Sequence, residues 1–157
     1  MRSPLRSVLP GAIGAVTLTL VHELGRRILP GAPRMDVLGM RALRRLERAP
    51  GWSSFEWLRR LSRANEQTRH RAALAGDLVA NSLYYAAVPG GSAGETWTRA
   101  AVLGTAAGAG ALLLPRPMGL GDAPRSARGD NQAMTIAWYL VGALAAAAAA
   151  NALRERG

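Results

Sequence analysis

The chain has 157 residues, a length that fits one domain, and 49% of them are hydrophobic while only 5% are aromatic. It contains no cysteine, which excludes disulfides, thiolate metal sites, a cysteine nucleophile and a lipoprotein anchor. The formal net charge is +10 and every cation is Arg, so the candidate partners are nucleic acid, anionic lipid or the cytoplasmic side of a membrane, and the placement of the arginines must decide among them.

Four apolar stretches order the chain. The first is free of charge from Ser7 to Val21 and continues as a helix through His22, Glu23 and Leu24. Arg2 and Arg6 precede it, as in a signal peptide. The HELGRR that follows offers no small-residue cleavage site, so the helix is expected to be retained. The second stretch, Ala72 to Val88, is interrupted only by Asp77. The third runs from Ala100 to Leu114, and the fourth from Asn131 to Leu153 with six consecutive alanines at 145–150. A spanning helix needs roughly 20 residues. The fourth meets this directly, and the others must take in polar ends, tilt or thin the bilayer. A soluble four-helix bundle would need polar stripes along its helices, but residues 8–21, 100–114 and 133–150 carry no charge at all. The expected fold is therefore an all-α polytopic membrane helix bundle. It has about four transmembrane helices, at about 7–28, 72–88, 97–114 and 132–153, in one membrane domain covering residues 1–157.

The connection between spans one and two, residues 34–70, is itself expected to be helical. Over 35–48, Met35, Leu38, Ala42, Leu43 and Leu46 fall on one face, with Arg41, Arg44, Arg45 and Arg48 largely opposite. Such a cationic amphipathic helix suits an anionic leaflet. Pro50-Gly51 ends it. Ser53 to Glu56 then has the spacing of a capping box, which predicts a second helix carrying Phe55, Leu58 and Leu61 against Arg59, Arg60 and Arg63 and running on towards span two. Trp52 and Trp57 fit the membrane interface. The next connection, 89–94, is a tight turn, and 115–130 is rich in Pro, Gly and Arg. With four spans, fifteen of the twenty arginines fall on the side of the first and third connections. The positive-inside rule then sets those connections in the cytoplasm of a bacterial inner membrane and both termini outside. The arginines of the first connection, interleaved with Trp52, Phe55 and Trp57, also resemble a nucleic-acid surface. Anionic lipid headgroups are the preferred partner, because a cytoplasmic juxtamembrane segment carries the same residues.

Candidate chemistry lies where polar residues enter the spans. His22 and Arg26, and Glu23 and Arg27, are four apart on span one. Asp77, Asn81 and Tyr84 or Tyr85 share a face of span two, and Asn131 and Thr135 do so on span four. All three groups belong to one end of the bundle and can converge on a polar pocket open to the cytoplasm. Ionisable groups in spans usually face the bundle interior or a water path. Asp77 is then either a substrate, ion or proton site, or a structural partner of Arg26 or Arg27. His22, Glu23, Asp36 and Asp77 carry potential metal ligands. HE lacks the second His of HExxH, however, and His70 falls in the arginine-rich connection, so neither a metal nor another cofactor is expected. No GxSxG and no Walker-type phosphate loop is present, and no catalytic residue can be assigned. Gly104 and Gly108 on span three form a small-xxx-small pair for helix packing, within the bundle or in a homo-oligomer.

The phrases PRMDVLGMRAL (33–43) and AGDLVANSLYY (75–85) resemble segments of uncharacterised small four-helix inner-membrane proteins of GC-rich bacteria. The resemblance implies a membrane location and four helices, and brings no activity, cofactor or catalytic residue. The functional expectation is a structural or accessory membrane protein that associates with anionic lipid or a protein partner. The alternatives are a small transporter or channel built around Asp77 and a membrane-embedded enzyme acting on lipid.

Overall fold

Ala, Leu and Arg, the strongest helix formers, dominate the segments between the Pro and Gly breaks. The computed structural model describes residues 5–29, 31–123 and 129–156, and among these it is all-helical with no strand. Six helices follow in order: α1 (Leu5–Ile28), α2 (Met35–Leu46), α3 (Glu56–Ser62), α4 (Glu66–Tyr85), α5 (Ala93–Leu113) and α6 (Gly129–Glu155), with a single 3-10 turn at Trp52–Ser54. Helices α1 (over Val8–Ile28) and α6 are long and apolar enough to cross a membrane by length and composition.

Several helix ends differ from expectation. Helix α4 starts six residues before Ala72, because the Asn65 side chain accepts from the Thr68 amide at 2.9 Å and caps a polar first turn. It therefore brings Arg69, His70 and Arg71 into the helix. The capping box at Ser53 does not open α3. Gly51, at φ +84°, turns the chain, and the 3-10 turn that follows leaves Phe55 extended as the residue before the helix, with no side-chain cap. The Glu56 carboxylate is held instead by Arg59 and Arg60 one turn on. Helix α3 stops at Ser62 and does not run into α4. A capping box does occur at α5: Ser92 accepts from the Glu95 amide at 3.1 Å, and Glu95 accepts from the Gly91 amide at 2.9 Å.

Helix α6 is the centre. It packs on α1 along one side and on α5 along another, α1 also packs on α4, and α2 lies across α4. The seams are lined with small residues. On α6, Gly142, Ala143, Ala146, Ala147 and Ala150 are buried. They meet Gly14 and Ala15 of α1 and Ala100, Gly104 and Gly108 of α5, all buried. A Cβ on Gly14 would stand 2.6 Å from the Gly142 carbonyl oxygen. One on Gly104 would stand 2.8 Å from Leu140 Cα, and one on Gly108 2.5 Å from Ile136 Cα. The Gly104/Gly108 pair thus packs within the bundle, against α6.

Leu18, Tyr85, Val88, Trp138 and Tyr139 are buried, but many other large apolar residues point the other way. Leu20, Leu24 and Ile28 of α1 are 63%, 58% and 62% exposed, and Val79 and Leu83 of α4, Val102 and Leu113 of α5 and Val141 of α6 are exposed as well. Small inside and large outside is the arrangement that lipid-facing helices favour, and the reverse of an aqueous core.

The two ends of the bundle differ. At one, Arg41 of α2 donates to the carbonyls of Leu120 (3.1 Å) and Asp122 (2.9 Å), and Asn131 donates to the Gly31 carbonyl at 3.0 Å. The α1–α4 and α5–α6 connections therefore meet there. At the other, Arg154 donates to the Gly90 carbonyl at 2.9 Å and to Thr96 Oγ1 at 3.1 Å, joining the end of α6 to the α4–α5 turn.

The seam predicts opposite results for two glycines. Gly108→Ala pushes a methyl into the α6 backbone and should cost about 1–3 kcal/mol. Gly76→Ala meets open space on α4 and should gain up to about 1 kcal/mol from helix propensity. Thermal unfolding in detergent, followed by circular dichroism, checks both signs.

Candidate functional site

The last two turns of α1 carry His22, Glu23, Arg26 and Arg27. Glu23 faces both arginines one turn on, and it accepts from Arg26 at 2.6 Å and Arg27 at 2.9 Å. The chain then reverses through Gly31–Arg34 into α2. There Arg34 binds Asp36 through two hydrogen bonds of 2.8 Å, and Arg26 approaches the same carboxylate at 3.9 Å. Asp36 is thus the electrostatic joint between the end of α1 and the start of α2. The Arg34 hydrogen bonds outweigh desolvation and hold its carboxyl below the usual aspartate value. At the far end of α2, Glu47 pairs with Arg69 of α4 at 2.5 Å with both side chains largely buried, which clamps α2 onto α4. The approach of the helices is close, and Gly39 faces Ala73.

Between α1, α2 and α4 lies a cavity of about 370 Å³. Its α4 wall is His70, Ala73, Leu74 and Asp77, which share one helix face at spacings of three, four and seven. His22 and Glu23 of α1 and Pro33, Met35 and Asp36 at the start of α2 contribute the rest of its character. The His22 ring rests on Trp138, with centroids 5.0 Å apart, and edge-on to Tyr139 at 5.6 Å, so α6 backs this wall. His22 Nε2 is buried and has no hydrogen-bond partner among the described residues.

The polar convergence expected from the sequence is partly brought together. His22, Glu23, Arg26, Arg27 and Asp77 line this one cavity. Asn81, Tyr84 and Tyr85 serve the helix packing instead. Asn81 donates back to the Asp77 carbonyl, Tyr84 Oη donates to the Leu103 carbonyl of α5 at 3.0 Å, and Tyr85 Oη donates to the Tyr139 carbonyl of α6 at 2.8 Å. Asn131 ties α6 to the turn after α1, and buried Thr135 donates to the Asn131 carbonyl. The expected pairing of Asp77 with Arg26 or Arg27 is corrected. Both arginines turn back to Glu23 on their own helix, where the i,i+3 and i,i+4 geometry is already set, and among the described residues Asp77 has no ion pair. His70 was assigned to a connection because Arg69 and Arg71 flank it. The Asn65-to-Thr68 spacing was the signal that a helix began before it. Among the described residues, no three His, Asp or Glu side chains gather in a way that could hold a metal ion.

A second feature lies on the outer side of α2. Arg41, Arg44, Arg45 and Arg48 border an open depression of about 480 Å³, together with Gly119 and Leu120 of the α5–α6 connection. Gly119 sits at φ +70° directly beneath the Arg45 guanidinium. Among the described residues, no carboxylate borders this depression. Arg59 and Arg60 are tied to Glu56, and Arg63 is exposed. The two tryptophans part company. Trp57 is 65% exposed, whereas Trp52, expected at the surface, is buried by the turn after Gly51 and is corrected to a packing residue.

Comparison with known protein families, curated proteins and solved structures gives no match.

The Asp36 joint generates a prediction with a defined sign. Its carboxyl is depressed in the folded chain, so its contribution is present above the ordinary aspartate value and is lost as pH falls through the folded one. Asp36→Asn should therefore lower stability at pH 7 by about 1–2 kcal/mol, as loss of a charged hydrogen-bond pair does. The gap between variant and parent should be smaller at about pH 3, where the pH has fallen below the ordinary aspartate value towards the depressed folded one. Melting temperatures of the two proteins at both pH values check it.

Proposed function

We propose that the chain is a multi-pass protein of the bacterial inner membrane that crosses the bilayer with α1, α4, α5 and α6 and holds anionic phosphate headgroups at its arginine-rich, cytoplasmic end. Its role there is structural or accessory, as a membrane-surface anchor for lipid and, through it, for a protein partner or a second copy. The observation that carries this reading is the depression bordered by Arg41, Arg44, Arg45 and Arg48 with no carboxylate. Arg41 is spent on carbonyls and fixes the position of α2, while Arg44 and Arg48 remain exposed beside it. A phosphate diester suits this arrangement because guanidinium groups recognise its oxygens in pairs.

Membrane insertion is supported by the small-inside, large-outside packing. Helices α1 and α6 have the length and composition of spans on their own. Helix α4, with 20 residues, and α5, with 21, are about 30 Å long, the thickness of the hydrocarbon core. Glu95 and Arg99 pair at the first turns of α5, Arg69 near the start of α4 pairs with Glu47, and Asp77 in the middle of α4 borders the α1–α2–α4 cavity. These two helices enter the bilayer as partners of α1 and α6. The resemblance to small four-helix inner-membrane proteins accords with the same four spans.

Two measurements test the proposal. Reporter fusions at Gly157 and near Phe55 should place the C-terminus outside and the α2–α3 segment inside, and the reverse would overturn the orientation. Delipidated full-length protein in neutral detergent should bind short-chain phosphatidylglycerol at least tenfold more tightly than phosphatidylcholine. Arg44→Gln with Arg48→Gln should remove most of that preference. Salt at 0.5 M should weaken it, since exposed charges are then screened within a few ångströms. Equal binding of the two lipids would refute headgroup recognition, and tighter binding of RNA would make nucleic acid the partner.

A further inference from the structure

The α1–α2–α4 cavity carries an inference separate from the arginine-bordered depression, from which α2 divides it. Three carboxylates and two guanidiniums line the cavity. Four of these five groups are already matched. Glu23 is held by Arg26 and Arg27 at 2.6 and 2.9 Å, and Asp36 by Arg34 at 2.8 Å with Arg26 beyond it. Asp77 is the remaining charge. It is exposed to the cavity, and among the described residues it has no ion pair. His22 of α1 also lines the cavity, with its ring packed on Trp138 and Tyr139 of α6. Pro33, Met35, Ala73 and Leu74 give the lining an apolar part, and Thr19 and His70 add neutral polar groups. A volume of about 370 Å³ falls within the range of small-molecule pockets.

We propose that this cavity is a binding site for a small organic cation, a protonated amine carried on a compact apolar body. The ammonium sits against the Asp77 carboxylate, and the apolar body fills the space between Met35 and Leu74. A carboxylate that is hydrogen-bonded by the Asn81 side chain but has no counter-charge among the described residues is best answered by a cation, and the apolar part of the lining suits one that brings its own apolar surface. An anion is disfavoured, because the guanidiniums of Arg26 and Arg27 that line the cavity are occupied by Glu23 and Asp36. The site stands independently of the headgroup reading, since none of its lining residues borders the arginine depression.

Calorimetric titration of the full chain in nanodiscs of neutral phosphatidylcholine tests this, with phenethylamine, 2-phenylethanol and 3-phenylpropionate as size-matched cationic, neutral and anionic probes and empty nanodiscs as the blank. Phenethylamine should bind at least tenfold more tightly than either of the others. Asp77→Asn should remove that advantage and keep its melting temperature, because no ion pair is broken. Leu74→Trp, which fills the space from α4 without touching a charge, should abolish binding of the amine. Asp122→Asn, on the α5–α6 connection, should leave it unchanged. The proposal is overturned if phenethylamine has no advantage over both isosteres, if it binds empty nanodiscs as well as the protein, or if its binding survives either Asp77→Asn or Leu74→Trp.

Discussion

The fold depends on how closely α1 and α5 can approach the α6 backbone. Three glycines, Gly14, Gly104 and Gly108, stand where any Cβ would meet a carbonyl oxygen or a Cα of α6. Gly142 and the alanines of α6 supply the complementary surface. At that distance dispersion contacts accumulate along the whole seam, and they remain available where apolar burial from water does not drive association. Everything else is hung on this three-helix core. Helix α4 reaches it through α1 and through Tyr85, whose hydroxyl donates to the Tyr139 carbonyl in the buried interior.

A core of small residues displaces the large ones outward. Leu20, Leu24, Val79, Leu83 and Val102 form an apolar exterior that water would penalise and hydrocarbon would not. The same displacement separates the chemistry by level. Along the seams there is little room for a polar side chain, and those present, such as Thr96 and Thr135, bond to the carbonyl four residues back on their own helix. Charged groups collect where the helices splay and the connections begin. Both candidate sites lie at that end, one on each side of α2.

Helix α2 links the two. Its N-terminal turn is fixed to α1 through Asp36, its C-terminal turn to α4 through Glu47 and Arg69, and its middle to the α5–α6 connection through Arg41. It is a wall more than a free surface helix. One face closes the cavity beside His22 and Asp77, and the other presents arginines outward. Both faces belong to a single short helix, so the arginine-bordered depression and the cavity are mechanically adjacent.

The sequence by itself determined the helical character, the four long apolar segments, the cationic helix between the first two and the polar level that holds His22, Glu23, Arg26, Arg27 and Asp77. Those features are periodic and local, and they follow from side-chain spacing along one helix. Only the tertiary structure decided the partners. Spacing alone leaves Arg26 and Arg27 open to Glu23 on their own helix or to Asp77 on another, and in the folded chain both turn to Glu23. Likewise Trp52 and Trp57 look alike in sequence, but the turn at Gly51 buries one and exposes the other. His70 entered the cavity wall because Asn65 caps α4 so that it starts six residues before the apolar pattern begins. The cavity exists because α2, anchored at three points, spans a gap that its own residues do not define.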